Sequence, residues 1–346
     1  MMAALTPALL AAACAAALAA TWAGTGAVRR YAVARQVLDI PNERSSHTVP
    51  TPRGGGVAIA AVLLTAVAAM GAAGVLQGGV AAALALGGAA VAGVGWLDDH
   101  RPLPAWLRAG VHFAAAAWAL FWLGGLPELT VGSGRVHLGA VGTLLGAVGI
   151  VWVTNLYNFM DGIDGIAGVE AVTAGAIGGV LLLACGQGGL AAAAFLVAAS
   201  GAGFLVWNWP PARIFMGDAG SGLLGYVFAV LAVASENARA VPLLAWAVLL
   251  GVFVVDATVT LARRLQRRER VHQAHRSHAY QRAVQGGLSH LSVTATVAVV
   301  NLVLGVLAAL AVLRPALLLP VVAAAVALLL VLYLVVERRA PMRRAS

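Results

Sequence analysis

The chain contains no lysine. All 22 of its basic residues are arginine, set against 13 acidic residues in a length of 346. Charged residues make up 10% of the chain and hydrophobic ones 61%, where a soluble domain carries about 25% charge. That shortfall excludes an ordinary water-solvated globule and points to lipid as the solvent. Cysteine is scarce as well. Cys14 and Cys185 lie in apolar runs, at no spacing that suggests a disulfide or a zinc site. Length alone would permit two soluble domains, but the apolar runs leave no polar stretch long enough for one. The net charge of +9 would suit nucleic acid, yet the placement of the arginines accounts for it through topology, so no nucleic-acid partner is expected.

What the chain has instead is apolar stretches long enough to span hydrocarbon, which takes roughly 17–25 residues. About eleven can be read, at 3–24, 56–74, 80–97, 105–123, 138–156, 166–185, 190–208, 219–234, 242–262, 291–313 and 318–336. Met1 to Pro7 carries no basic residue, so the first stretch does not read as a secretory signal and is expected to be retained. Arginine asymmetry sets the orientation. With 29–55 on the cytoplasmic side, strict alternation also puts 98–104, 157–165, 209–218, 263–290 and the tail there. That places 19 arginines inside and leaves only Arg135, Arg239 and Arg314 outside. The expected architecture is an all-α polytopic membrane protein of about 11 helices, one integral-membrane domain over 1–346. Its N-terminus is periplasmic and its C-terminus cytoplasmic, in a bacterial inner membrane.

The same frame sorts the acids. Asp39, Glu43, Asp98, Asp99, Asp161, Asp164, Asp218, Glu269 and Glu337 fall in cytoplasmic segments, Glu170 and Asp256 lie within helices towards that face, and only Glu128 and Glu236 fall outside. Chemistry is therefore expected on the inner face.

Three acidic clusters sit at inner helix ends: Asp98-Asp99-His100-Arg101, the run from Asn155 through Asn158, Asp161 and Asp164 to Gly165, and Gly217-Asp218-Ala219-Gly220-Ser221. Asp and Asn are common helix caps, and one such pair alone would mean little. Three clusters on one face form a set of hard oxygen ligands suited to Mg²⁺, which takes one or two carboxylates together with phosphate oxygens and water. Gly162, Gly165 and Gly168 would let the backbone turn or approach a ligand. The amides entering the helices after Asp164 and after Gly220-Ser221 could then meet a phosphate; small residues also serve simply to pack membrane helices closely. The loop 263–290 is rich in arginine, which suits anionic headgroups. Its His275-Arg276-Ser277-His278 run adds groups that could meet a diphosphate. His112 and His137 read as structural. The stretch from Ser45 to Gly56, with its prolines and glycines, reads as an ordered loop.

Taken together, these residues resemble the polyprenyl-phosphate N-acetylhexosamine-1-phosphate transferases. The resemblance covers nearly the whole chain, and the Asn-x-x-Asn-x-x-Asp-Gly-Ile-Asp-Gly run and the Gly-Asp-Ala-Gly-Ser motif carry it. It implies that Asp218 is the principal Mg²⁺ ligand (Mn²⁺ serving in its place), with Asp98 and Asp99 near the metal and the lipid phosphate. Asp161, Asp164 and Asn158 would line the sugar-nucleotide site. Asn208 and Phe215 match positions that hold and stack on the uracil, and His275, Arg276 and His278 fall in the loop that meets the diphosphate and sugar. Two departures stand out. Pro102-Leu103-Pro104 follows Arg101 where many members carry a third acid, and His278-Ala279-Tyr280-Gln281 stands where many carry a histidine cluster. The resemblance is closest to the branch that initiates O-antigen with 6-deoxy N-acetylhexosamines.

The implied reaction joins UDP-HexNAc and undecaprenyl phosphate to give undecaprenyl-diphospho-HexNAc and UMP. Its partners are those two substrates and membrane lipid, and it is compatible with a homodimer. It needs charge neutralisation and in-line positioning more than covalent protein chemistry. A phosphate monoester has a second pKa near ~6, so steering and metal binding suit the Asp98/Asp99 pair better than proton removal. Two other classes share some of these features. A secondary transporter places ionisable residues at mid-membrane on broken helices in repeated halves, a picture that only Asp256 suits; an arginine partner is its plainer role. A CDP-alcohol phosphotransferase has a motif resembling Asp161-Gly162-Ile163-Asp164-Gly165, but its continuation to further acids is missing, since only Glu170 follows.

Overall fold

Thr6 and Pro7 start the first helix for local reasons. Thr6 Oγ1 accepts from the Leu9 amide at 3.2 Å, and Pro7 occupies a first-turn place that needs no amide. The computed structural model describes residues 6–41, 49–269 and 275–342. Helix α1 (Pro7–Ala34) is followed by a short antiparallel pairing of β1 (Leu38–Asp39) with β2 (Thr51–Pro52). Helices α2 (Gly56–Ala72), α3 (Gly78–Ala82) and α4 (Gly88–His100) come next, the last two joined through a π-helical turn at Ala83–Gly87. Then come α5 (Ala105–Leu123), the hairpin of β3 (Glu128–Val131) and β4 (Gly134–His137), α6 (Gly139–Met160), α7 (Ile166–Ala184), α8 (Gly188–Asn208) and α9 (Asp218–Asn237). The chain ends with α10 (Leu243–Leu249), α11 (Gly251–Gln266), α12 (Ala279–Gln285), α13 (His290–Leu313) and α14 (Leu318–Arg339).

Every one of the eleven predicted segments overlaps a helix, but they are not equal. Among the described residues, eight helices are long and apolar enough to cross a membrane. A ninth is reached if α10 and α11, bent by 85° at their junction, count as one span. Helix α2, at 17 residues, falls short of the length, and α5 carries Arg108 in its first turn. This is an all-α polytopic membrane protein. The apolar window of α9 is 94% buried, against 17% for α1 and 22% for Pro315–Arg339. Helix α9 is therefore the centre of the bundle, and α1 and α14 face outward.

The bundle sorts its charges into two ends. At one end Glu128 pairs with Arg135 at 3.3 Å and Arg239 at 3.5 Å, while Glu236 accepts from the Thr130 amide at 2.8 Å and the Leu243 amide at 2.5 Å. Two of the three arginines and both of the acids assigned to the outside, Arg135, Arg239, Glu128 and Glu236, thus lie together on one end. Glu170 is fully buried in α7, where its Oε2 accepts from Asn301 of α13 at 2.7 Å. Among the described residues Asp256 takes His278 rather than the expected arginine as its ionic partner. Its carboxylate accepts from the amides of Ala279 and Tyr280 at 2.8 and 3.1 Å, capping the start of α12. A buried acid finds its donors there in free helix-end amides.

Candidate functional site

At the other end, the two aspartates that close α4 separate into different jobs. Asp99 is buried, and its oxygens accept from the amides of Asp218 at 3.0 Å and Ala219 at 3.3 Å. It thus caps the start of α9 from a neighbouring helix, satisfying amides that would otherwise be orphaned. Two glycines permit this approach. Gly217 has φ of +78°, and a Cβ there would lie 2.6–2.9 Å from the Asp99 carboxylate. A Cβ on Gly95 would lie 2.5 Å from the Asp218 carbonyl. The Asp99 carbonyl, in turn, accepts from the Arg53 guanidinium. Helix α9 begins at Asp218, so the amides after Gly220-Ser221 expected to meet a phosphate lie within it, and its first two amides are taken by Asp99. At the start of α7 the Gly165 amide is likewise taken, by Asn208 Oδ1 at 2.9 Å.

Asp98 turns the other way. Its Oδ1 accepts from the Leu103 amide at 2.6 Å and its Oδ2 meets Arg108 Nη1 at 2.7 Å. The same Arg108 nitrogen lies 3.4 Å from Asp218 Oδ2, so one guanidinium bridges the ends of α4 and α9. Asp161 follows the last turn of α6 and adds a third carboxyl. Burial, and then the charges of Asp218, Asp99 and Asp164, push it well above the usual carboxylate range. Acids held this close call for a cation. Among the described residues no three His, Cys, Asp or Glu side chains converge into a metal-holding group. The donor set nevertheless fits Mg²⁺ of the kind that takes one or two carboxylates and completes its shell with phosphate oxygens and water. Asp218 and Asp98, which share Arg108, are the two carboxylates that could hold such an ion.

Beside them lies a cavity of about 450 Å³, lined by Arg108, His112, Asn155, Asn158, Asp218, His275 and His278 among others. Asn155 donates to the Val151 carbonyl at 2.7 Å and lies 3.3 Å from His112 Nδ1. His278 precedes α12, with Nδ1 3.5 Å from Asp256 Oδ1, and its ring centroid is 4.9 Å from that of His275. Burial, with His278 and Arg264 nearby, pulls His275 down to about 3 against a weaker opposing pull from Asp256. It is neutral at physiological pH and so offers one N–H donor rather than a positive charge.

Four expected residues stand away from this cavity. Asp164 accepts from the Ala212 amide at 3.0 Å and faces His290 Nδ1 at 3.2 Å, tying the 209–218 segment to α13. Asn208 is buried, with its amide engaged at both ends by Gly165 and, at 2.9 Å, the Ile214 carbonyl. Phe215 is half-buried; its amide donates to the Pro52 carbonyl at 2.8 Å and its carbonyl accepts from Gly55 at 3.0 Å. Arg276 is exposed. Ser45 to Thr48, Glu43, Arg270 and His272 lie outside the described residues.

Sequence reasoning missed Arg108, counted only for topology, and His112, taken as structural. It also missed Arg53, inside a loop that carried little weight, and His290, which was placed in the basic loop without a task. The one available signal was the spacing of Arg108, ten residues past Asp98 on the next helix, where it can turn back to the same end.

The profile of glycosyl transferase family 4 matches residues 81–236, which hold all three acidic clusters. A decaprenyl-phosphate N-acetylglucosaminephosphotransferase of Mycobacterium leprae is 30% identical over 304 residues, covering 78% of this chain and 75% of the relative. The chain belongs to the polyprenyl-phosphate N-acetylhexosamine-1-phosphate transferase family. Another relative in this family is a Bacillus subtilis protein described as a "probable undecaprenyl-phosphate N-acetylglucosaminyl 1-phosphate transferase". It is 28% identical over 275 residues, 77% of this chain and 75% of its own. A phospho-N-acetylmuramoyl-pentapeptide-transferase of Moorella thermoacetica is 30% identical over 177 residues, 47% of this chain and 54% of its own. Family membership takes the place of both rival readings. The transporter picture asked for interrupted spans in matching halves, and α10–α11 is a single bent pair among the described residues.

Proposed function

We propose that this protein transfers HexNAc-1-phosphate from a UDP-sugar to undecaprenyl phosphate at the cytoplasmic face of the bacterial inner membrane, opening the assembly of O-antigen or another surface polysaccharide. One observation carries the reading: Asp98 and Asp218, from two different helix ends, share the Arg108 guanidinium, Asp161 lies near enough to Asp218 to feel its charge, and Asp218 lines a cavity that also presents Asn158 and three histidines. A lipid-phosphate oxygen attacks the sugar-bearing phosphorus of the donor, the bond from that phosphorus to the bridging oxygen breaks, and UMP leaves with the bridging oxygen.

Asp218 and Asp98 would hold Mg²⁺, which would supply charge neutralisation for the diphosphate. The chain's own residues supply the rest. Asp99 holds the first turn of α9 against α4 and so fixes where the Asp218 carboxylate points. Asn158 offers an amide to sugar hydroxyls or phosphate oxygens, Asn155 anchors His112 on the cavity wall, and neutral His275 offers a donor. Asn208, Asp164 and His290 brace the loop that precedes Asp218. The lipid phosphate arrives mostly dianionic, so no base is needed to start the attack.

Purified protein incubated with Mg²⁺, undecaprenyl phosphate and a panel of UDP-sugars tests the reading through UMP release. UMP should appear with at least one UDP-HexNAc and only with lipid phosphate present. Asp218→Asn should remove nearly all of it, a loss on the order of several kcal/mol of barrier lowering. No UMP from any sugar, or full release by Asp218→Asn in chelator, overturns the proposal.

A further inference from the structure

Arg108 stands where a metal ion would have to bind. Its Nη1 lies 2.7 Å from Asp98 Oδ2 and 3.4 Å from Asp218 Oδ2, and the three side chains come from α5, the end of α4 and the start of α9. We propose that Arg108 is a built-in counter-cation that competes with the divalent metal for Asp98 and Asp218, so that the ion enters by displacing a guanidinium. The inference rests on the metal reading above.

Three features favour competition over simple coexistence. First, an arginine is charged at every accessible pH, so it cannot yield its place by losing a proton, and a cation that takes these carboxylates must move it. Second, it has somewhere to go. Arg108 is 36% exposed and lines the 450 Å³ cavity, one helical turn before His112 on the same wall. Third, among the described residues no other arginine forms an ion pair with Asp98 or Asp218. Arg53 donates to the Asp99 carbonyl, the chain has no lysine, and His275 in the cavity is held neutral.

The consequence is a coupling between the two ligands. With Arg108 on the carboxylates, the metal meets a pre-paid ion pair and binds weakly. When a diphosphate enters the cavity, the displaced guanidinium gains an anionic partner of the geometry it prefers. The diphosphate then raises affinity for the metal, and by linkage the metal raises affinity for the diphosphate by the same factor. The site charges itself only when both are present.

Mn²⁺ binding, followed by electron paramagnetic resonance on the purified full-length protein without any sugar nucleotide, tests this apart from turnover. Arg108→Gln should bind Mn²⁺ about 10-fold more tightly than the wild type, the worth of one charge-assisted contact. Arg101→Gln removes an equal charge from an exposed arginine in no ion pair among the described residues, and should shift the Kd by less than about 2-fold, because exposed charges are screened. Arg108→Lys keeps the charge without the planar fork and should fall between wild type and Arg108→Gln, which keeps the question answerable if the glutamine variant does not fold. Equal or weaker Mn²⁺ binding by these Arg108 variants, or an equal gain in Arg101→Gln, overturns the inference and leaves the metal reading standing. Absence of Mn²⁺ binding in the wild type and in every variant overturns both.

Discussion

Replacing Asp98 and Asp99 one at a time with asparagine should separate two roles that adjacent identical residues conceal. Asp99 spends both carboxylate oxygens on the amides of Asp218 and Ala219, in a buried setting. An asparagine keeps one acceptor and turns an NH₂ group towards the other amide, leaving a buried N–H without a partner. Losing such a cap costs about 1–2 kcal/mol, and stranding a buried donor costs about 1–3 kcal/mol. Relief of repulsion from Asp161 and Asp218 offsets part of this, so the net loss is about 1–3 kcal/mol. In thermal unfolding of the detergent-solubilised protein that is a drop of about 2–6 °C, taking ~2 °C per kcal/mol for a chain of this size. Asp98→Asn removes an ion pair with a half-exposed arginine, a contact worth about 0–1 kcal/mol, and should leave the transition within about 2 °C. Its damage should show in Mn²⁺ affinity and UMP release. If Asp99→Asn melts with the wild type while Asp98→Asn falls by several degrees, the division of labour argued here is refuted.

Asn208→Ala should cost about 1–3 kcal/mol of stability through the stranded Gly165 amide and Ile214 carbonyl, with the ranking of UDP-sugars by kcat/KM unchanged; a reordered ranking with a normal melting curve would restore a direct role on the base. His275, ordinarily near 6.5 but held at about 3 in the fold, sets a pH window. The unfolded chain takes up a proton as pH falls below 6.5 while the folded chain stays neutral, so its contribution is complete above 6.5 and is lost progressively towards 3. Replacing it with glutamine should therefore flatten the fall in melting temperature between pH 7.5 and 5, and an unaltered slope would count against the buried neutral imidazole. Reporter fusions after Glu337 and near Glu128 should read cytoplasmic and periplasmic respectively, and matching compartments would mean that the helix count misleads.

The sequence by itself determined the solvent, the helical class and the set of acids worth watching. Apolar runs and arginine bias are one-dimensional signals, and a membrane rewards them directly. The motif order around Asp98, Asp161 and Asp218 was likewise legible, because family resemblance is written along the chain. Only the tertiary structure decided what each member of those motifs does. Asp98 and Asp99 are neighbours with the same chemistry, and the 100° step between them on α4 turns one to Arg108 and the other to the start of α9. The same holds for Asn208, whose amide is claimed by its own backbone surroundings, and for Arg276, which the run of loop residues sends outward while His275 and His278 line the cavity. Arg108 reaches Asp218, 110 residues further along, and His290 reaches Asp164, 126 residues before it, because helices distant in sequence bring their ends together, and no spacing along the chain records those pairings.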